Sequence, residues 1–307
     1  MNIRKAALIG AGAIGGYVIW GFDGVTDVTF TVVAEGARRE RLERDGVTIN
    51  GQRYPVQVRE PGQAGAQDVI FIATKYGGLD EAVAMLPPLV GPDTLVLSLL
   101  NGVDSEERVA QAIGAEHVVH SLIRIASRRT QEGILFDTQD PVNCIYFGLL
   151  KDRAEERKKL NALSALLSRT RICWNIPEDI LGEIWLKYAS NIANNLPQAV
   201  IGAPASLYLN GEHGRFLAQK LWTEVVTVAA ARGIHLAEEV VIFPCQDSAK
   251  YSTLQDLEAG RHTEIDMFAG QMLHMAAEAG ISVPYCEYTY HAIKALEEKN
   301  DGLFDPA

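Results

Sequence analysis

The sequence predicts an α/β chain: an N-terminal domain built on a doubly wound parallel sheet, followed by an all-α C-terminal domain. Three observations predict it. Short apolar runs alternate with helical patterns over the first half of the chain. A glycine-rich turn follows the first of those runs. After about residue 150 the strand-like runs give way to apolar residues at helical spacing. Strand–helix alternation implies a parallel sheet with helices on both faces.

The expected strands are residues 6–9, 28–33, 69–74, 95–99 and 118–123. Each is aliphatic or β-branched and bounded by Gly, Pro, Asp or Asn, as a strand covered on both faces requires. Helical patterns fall at 14–20, 37–44, 79–87 and 105–113. Residues 51–58, with Tyr54, Val56 and Val58, read as an extra strand or hairpin. Further helices are expected at 151–167, 177–200, 216–232 and 263–279. Thr263 with Asp266 fits an N-cap and an acidic third position, and Gly280 fits the stop. Ser252 with Gln255 offers a second capping box. Residues 299–307 read as a frayed tail. The division is therefore 1–172 for the sheet domain and 173–307 for the helical domain.

With 307 residues and 48% hydrophobic content, the chain is long enough for two packed domains. Its formal net charge of −11 argues against nucleic acid or an anionic membrane surface as partner. The four cysteines, Cys144, Cys173, Cys245 and Cys286, show no CxxC spacing and read as buried free thiols in a reducing compartment. The seven histidines form no HxxxH pair, so no metal site is expected. Arg4 and Lys5 precede a four-residue apolar run that ends in glycine, which is a strand rather than a signal peptide. No run approaches the ~18 apolar residues of a membrane span. A cytoplasmic location is the expectation.

The glycine turn reads Gly10-Ala11-Gly12-Ala13-Ile14-Gly15-Gly16. Its GxGxxG spacing lies between a strand and a helix, the arrangement that cradles a pyrophosphate. Gly10 permits the tight turn, Gly12 lets backbone approach the phosphates, and Gly15 lets helix and sheet pack closely. Phosphate then sits at the helix N-terminus beside Ala13 and Ile14. This is a Rossmann-type dinucleotide site, and it lets an acidic chain hold an anionic cofactor. Glu35 stands twenty residues after Gly15, where a carboxylate accepts a ribose 2′-hydroxyl and repels a 2′-phosphate. Glu35 thus favours NADH; the opposing reading has Arg38 and Arg39 catching the phosphate of NADPH.

In the helical half, Lys187, Asn191 and Asn195 fall at i, i+4 and i+8, one stripe on one helix face. Asn is a poor helix former, so two on one face beside Trp185 and Ile192 suggest a polar site. In that reading Lys187 is a proton donor and the amides bind ligand. The bland reading is a solvated face. Glu264, expected in a helix's first turn, is placed to pair with Lys187.

These residues carry a resemblance that runs almost end to end. The glycine loop, Ala73-Thr74-Lys75, Asn101-Gly102-Val103, the 185–195 helix and the segment STLQDLEAGRHTEID at 252–266 resemble the ketopantoate reductases. The resemblance implies a Rossmann domain, a helical domain, and reduction of ketopantoate to (R)-pantoate by a nicotinamide hydride in pantothenate and coenzyme A synthesis. It implies NADPH as cofactor and a small 2-keto acid as substrate. It also implies Lys187 and Glu264 as catalytic residues, and Asn101, Asn191, Asn195 and Ser252 as substrate binders. Lys75 and Asn101 then lie near the cofactor. Glu35 stands where the NADPH enzymes have arginine. Ala205 replaces a frequent substrate-binding Asn after Pro204, and the glycine that usually ends the strand near His120 is missing, with Arg124 following. The alternatives are an NADH-dependent reductase of another branched 2-keto acid, a non-catalytic dinucleotide sensor, and a β-hydroxyacid dehydrogenase. The apolar helices of the second half are compatible with a homodimer or with core alone.

Overall fold

Buried apolar runs become the centre of a sheet because each residue on them is covered, whichever face it points to. In β1 (Lys5–Ile9) Ala6 and Leu8 join one apolar core while Ala7 and Ile9 join the opposite one. The computed structural model describes residues 2–150, 154–243 and 245–305, the side chain of Glu155 excepted. The remaining strands are β2 (Thr29–Val33), β3 (Val47–Ile49), β4 (Gln52–Tyr54), β5 (Val58–Arg59), β6 (Gln67–Ile72), β7 (Val90–Ser98), β8 (Val118–Arg124), β9 (Ser127–Thr130), β10 (Gly133–Phe136), β11 (Cys144–Gly148) and β12 (Cys173–Asn175). The helices are α1 (Ala13–Phe22), α2 (Gly36–Asp45), α3 (Pro61–Ala64), α4 (Leu79–Ala84), α5 (Ser105–Ile113), α6 (Ala154–Leu167), α7 (Ile180–Ile201), α8 (Ser206–Leu209), α9 (Glu212–Ala231), α10 (Ser252–Glu258), α11 (Gln271–Ala279) and α12 (Pro284–Asn300).

Two compact units result, Met1–Ile180 and Leu181–Ala307. The first contains an eight-stranded sheet in the order β12-β11-β8-β7-β6-β1-β2-β5. Every pairing in it is parallel except β11 with β8. Residues from α1 and α6 cover one face, and residues from α4 and α5 the other. The five expected strands all form. The four after residue 124 were not foreseen, and strand character persists to Asn175. The first unit therefore ends at Ile180 rather than at residue 172, because Cys173–Asn175 pair in register with Cys144–Tyr146. The extra strand or hairpin expected at 51–58 is divided between two sheets: Gln52–Tyr54 forms a hairpin with β3 in a second sheet of order β4-β3-β10-β9, while Val58 begins β5 at the edge of the first. The second sheet docks on α1: a Cβ on Gly16 would come within 2.6 Å of the Ile134 side chain.

The expected helix at 151–167 runs over Ala154–Leu167, residues 151–153 lying outside the described residues. The one at 79–87 stops at Ala84, ahead of the Pro87–Leu89 turn. Neither capping box forms. Tyr251, not Ser252, precedes α10, and the Gln255 amide instead donates to the Lys250 carbonyl at 2.6 Å. The Thr263 hydroxyl oxygen does accept the Ile265 N–H at 3.1 Å, but its own N–H and hydroxyl go to buried Glu297, at 2.7 Å each, rather than to Asp266. Asp266 turns to the Tyr290 hydroxyl at 2.8 Å. The segment Asp266–Gly270 is π-helical and only Gln271–Ala279 is α-helical; Gly280 closes it at φ +65° as expected. The tail expected to fray is instead structured over its described residues: α12 continues to Asn300 and the Leu303 N–H returns to the Glu298 carbonyl at 3.0 Å. Residues 306–307 lie outside the described residues.

A second buried carboxylate caps a helix from another element. Glu224 on α9 accepts the N–H groups of Tyr285 and Cys286, both at 2.8 Å, in the first turn of α12. These are donors that no carbonyl of α12 itself can reach.

In the first unit Glu106 is a buried carboxyl, held by the Ser105 hydroxyl at 2.8 Å and the Ser121 N–H at 3.3 Å. Burial pushes it up to about 7. A raised carboxyl pKa means that the folded state binds the extra proton, so its contribution is present below about 4.5 and lost as pH rises to about 7. Unfolding free energy is expected to fall across that window, by up to about 3 kcal/mol from this group. Glu106→Gln should flatten the fall, measured as the difference between the two urea-unfolding profiles against pH. Parallel profiles would remove Glu106 as the cause.

Candidate functional site

In the first unit, the residues singled out from the sequence gather at the carboxyl ends of β1, β2, β6 and β7. The chain leaves β1 for β2 on one side and later adds β6 on the other, so β1 borders the point where the strand order reverses. Open α/β sheets bind ligands outside the strand ends at such a point. Gly10 adopts φ +97°, and a Cβ there would lie 2.6 Å from the Ala73 carbonyl oxygen and 2.8 Å from the Thr74 nitrogen. On Gly15 a Cβ would lie 2.0 Å from the Gly10 oxygen. Gly12 is the opposite case, since a Cβ there meets nothing within 4 Å. The loop is thus tight towards the protein and open above Gly12. Gly12 also precedes α1 without a side-chain cap, and the first ladder bond comes only at Gly16, whose N–H reaches the Gly12 oxygen at 2.8 Å. The amides of Ala13, Ile14 and Gly15 are therefore presented to a ligand. Beside them, the buried Thr74 hydroxyl has no partner among the described residues. An orphaned hydroxyl and uncapped amides fit the phosphates of a dinucleotide.

Glu35 lies exposed immediately before α2. Of the two arginines that compete with it, Arg39 is already committed, bonding Glu43 at 2.9 Å and Glu60 at 2.7 Å. Arg38 is exposed. Lys75 is exposed and opens the turn Tyr76–Gly78; Asn101 is half-buried in the turn after β7. A bridge joins these two turns. The Tyr76 hydroxyl donates to Asp104 at 2.7 Å, and Arg108, paired with Asp80, lies 5.5 Å over the Tyr76 ring. Burial, and then this bond to Asp104, raise the Tyr76 phenol above its ordinary range.

In the second unit, α7 places Lys187 and Asn191 half-buried and Asn195 buried along one face. Three straps fix neighbouring segments to this helix. Tyr188, next to Lys187, donates to the Phe268 carbonyl at 2.7 Å, just beyond Glu264. Asn194 donates to the Val241 carbonyl at 3.1 Å. Gln198 donates to the Ala249 carbonyl at 3.2 Å and accepts the Tyr251 N–H at 3.0 Å, next to Ser252. Asn191 and Asn195 take no part in these straps. Glu264 heads the π-helical segment, its carbonyl accepting the N–H groups of Met267 and Phe268 at 3.1 Å each, rather than lying within an α-helical first turn. Ser252 is exposed at the start of α10. The three elements bearing Lys187, Glu264 and Ser252 are thereby held together.

Pro197 interrupts α7, and the repair was not legible in the sequence. The Gln198 N–H donates to the Tyr208 hydroxyl at 3.1 Å, which in turn donates to the Asn194 carbonyl. A buried phenol is spliced into the helix ladder one turn past Asn191. Tyr208→Phe leaves a buried N–H and C=O unpaired, at a cost of about 1–3 kcal/mol. Chemical denaturation is expected to read that loss; wild-type stability would mean that the ladder closes without the hydroxyl.

Sequence reasoning named Thr74 only as part of the Ala73-Thr74-Lys75 segment and gave it no role, although a threonine ending a wholly apolar strand was the available signal. Among the described residues no three His, Cys, Asp or Glu side chains are grouped to hold a metal ion, and no helix is long and apolar enough to cross a membrane.

Comparison with known proteins sets this geometry in a family. The family model described as "Ketopantoate reductase PanE/ApbA" matches residues 6–149, and "Ketopantoate reductase PanE/ApbA C terminal" matches residues 179–297. The chain is 27% identical to the uncharacterised oxidoreductase YkpB of Bacillus subtilis (strain 168), over 95% of this chain and 99% of that protein. It is 27% identical to the 2-dehydropantoate 2-reductase of Mesorhizobium japonicum, over 85% and 88%. Among solved structures, D-mandelate dehydrogenase with NADH and anilino(oxo)acetate superposes with a TM-score of 0.82 at 20% identity, covering 97% and 99%. A PanE/ApbA family ketopantoate reductase from Ralstonia eutropha JMP134 gives 0.78 at 20% identity, covering 97% and 100%. With both family models matched across most of its length, the chain belongs to the ketopantoate reductase family of oxidoreductases.

Proposed function

We propose that this protein is a 2-dehydropantoate 2-reductase, reducing ketopantoate to (R)-pantoate with a nicotinamide cofactor. The observation that carries the reading is the α7 stripe of Lys187, Asn191 and Asn195, strapped to the segments that bear Ser252 and Glu264. A keto acid needs a proton for its developing alkoxide and donors for its carboxylate. Lys187 Nζ delivers the proton to the ketone oxygen. The amides of Asn191 and Asn195 donate to substrate oxygens, and the Ser252 hydroxyl donates to the carboxylate. Glu264 orients Lys187, while Asn101 steadies the substrate. The cofactor, when bound, supplies the hydride. Its phosphates would be held by the Gly10, Gly12, Ala13, Ile14 and Gly15 backbone and the Thr74 hydroxyl, with Lys75 beside them.

The same reading assigns NADH rather than NADPH. Glu35 lies where the adenosine ribose is expected, and Arg39 is engaged by two carboxylates. Glu35→Arg is expected to move the NADPH/NADH ratio of kcat/KM upwards by at least about tenfold, roughly 1.4 kcal/mol. An unchanged ratio would remove Glu35 from cofactor choice.

A second reading, an NADH-dependent reductase of another branched 2-keto acid, is favoured by Ala205. Its side chain is a buried methyl group and its N–H is spent on the Ala249 carbonyl at 2.9 Å, so it offers substrate no hydrogen-bond donor. The test is a steady-state assay of ketopantoate against other branched 2-keto acids with each reduced cofactor. The highest kcat/KM is expected for ketopantoate with NADH; a higher value for another acid transfers the assignment to it. Assembly as a homodimer is part of the proposal, supported by exposed Phe216 on α9 and Tyr288 on α12 and by the dimeric ketopantoate reductase of Staphylococcus aureus among the structural neighbours. Sedimentation giving the monomer mass would refute it.

A further inference from the structure

The four cysteines were expected to be buried free thiols, yet two of them meet. Cys144 on β11 and Cys173 on β12 are direct partners in a parallel pairing, and Cys173 Sγ donates to Cys144 Sγ at 2.8 Å. Parallel strands lie about 4.8 Å apart, and disulfides span Cα separations of about 4.4–6.8 Å. The backbone already has the spacing that an S–S bond requires. One phenol holds both sides of the pair: the Tyr17 hydroxyl accepts the Cys173 N–H at 3.0 Å and donates to the carbonyl of Asn143, next to Cys144, at 2.8 Å. Asn143 is itself fixed, its amide accepting the Ala126 N–H at 3.1 Å and donating to the Asp137 carbonyl at 2.6 Å. The two thiols differ in access, since Cys173 is exposed and Cys144 buried.

We propose that Cys144 and Cys173 form a reversible redox pair, with Cys173 as the thiol attacked by a peroxide and Cys144 as the thiol that resolves it into a disulfide. Cys173 thiolate attacks one peroxide oxygen; the O–O bond breaks, water leaves after protonation, and Cys173 becomes a sulfenic acid. Cys144 sulfur then attacks the Cys173 sulfur; the S–O bond breaks, and the Cys144 proton leaves with the hydroxyl as a second water. Two thiols and one hydrogen peroxide give one disulfide and two waters. Burial pushes the Cys144 thiol up to about 12, which keeps it protonated until its partner is activated. Arg124, opposite Cys144 in the β8–β11 register, places a cation close enough to act on that thiol and oppose the effect of burial. The division of labour follows: the exposed sulfur meets the oxidant, and the buried one prevents its further oxidation.

The test treats the native full-length protein with stoichiometric hydrogen peroxide, then alkylates free thiols and maps peptides without reductant. The expected result is an intact mass lower by about 2 Da, a Cys144–Cys173 linked peptide, free Cys245 and Cys286, and full reversal by dithiothreitol. In Cys144→Ser, dimedone should label Cys173; in Cys173→Ser, no linked peptide should form. Alkylation of both Cys144 and Cys173 after peroxide, a linkage through Cys245 or Cys286, or oxidation of Cys173 to sulfinic acid in the wild-type protein without the link would each overturn the proposal. The readout does not depend on which keto acid the protein reduces.

Discussion

Lys187→Ala is expected to lower kcat by about 10²–10⁴, the usual worth of a positioned general acid, while the helical unit keeps its fold. Lys187 is only half-buried on α7, and the straps around it run through Tyr188, Asn194 and Gln198. Truncating it therefore leaves the scaffold standing. Lys187→Arg separates charge from proton delivery. A guanidinium remains charged and donates hydrogen bonds, but it does not give up its proton at working pH. The arginine variant should recover KM and leave kcat depressed. Turnover near wild type in Lys187→Ala would exclude this lysine from the chemistry.

The second large effect is expected at the glycine loop, through a contrast between two alanine substitutions. Gly15→Ala places a Cβ 2.0 Å from the Gly10 carbonyl oxygen. That atom is backbone in a turn whose own geometry is fixed against Ala73 and Thr74, so nothing yields cheaply. A loss of about 1–3 kcal/mol in stability is expected, as for overpacking, together with loss of dinucleotide binding. Gly12→Ala places its Cβ where no protein atom lies within 4 Å. It should melt like the wild type and still bind NADH weakly, since the methyl group occupies the path of the phosphates. Calorimetric titration with NADH and thermal unfolding read both axes. Wild-type stability in Gly15→Ala, or wild-type affinity in Gly12→Ala, contradicts the reading of this loop.

The two domains were legible because their core residues obey simple periods. Strands β1, β6 and β7 are apolar on both faces, and the 180–201 helix repeats its polar residues every fourth position. The strands missed after residue 124 are of another kind. Ser127–Thr130 is a polar edge that gains its hydrogen bonds from the adjacent strand Gly133–Phe136, and Cys173–Asn175 is three residues long and exists because Cys144–Tyr146, about 29 residues earlier, supplies its partners. At Thr263 the cap is only half as expected. Its hydroxyl oxygen accepts the Ile265 N–H at 3.1 Å, as an N-cap does, but Glu297, 34 residues away, and not Asp266, accepts its N–H and its hydroxyl proton. At the candidate site, Lys187, Asn191 and Asn195 were visible as a stripe, whereas the Tyr208 hydroxyl that mends the helix beneath them was not. A tyrosine eleven residues past a proline carries no local sign of that role.

The small sheet sets an order on biosynthesis. Its hairpin is complete once Tyr54 has been made, but β3 pairs with β10, and the Asn50 amide clasps the backbone of Phe136 on both sides, 86 residues further along. At a ribosomal rate of about 5–20 residues per second, that partner follows roughly 5–20 s later. Throughout the interval the nascent chain presents Val47–Ile49 as an unpaired strand edge, the kind of surface that recruits other chains. Slow elongation upstream of residue 136 therefore favours aggregation of this protein before either of its units is finished.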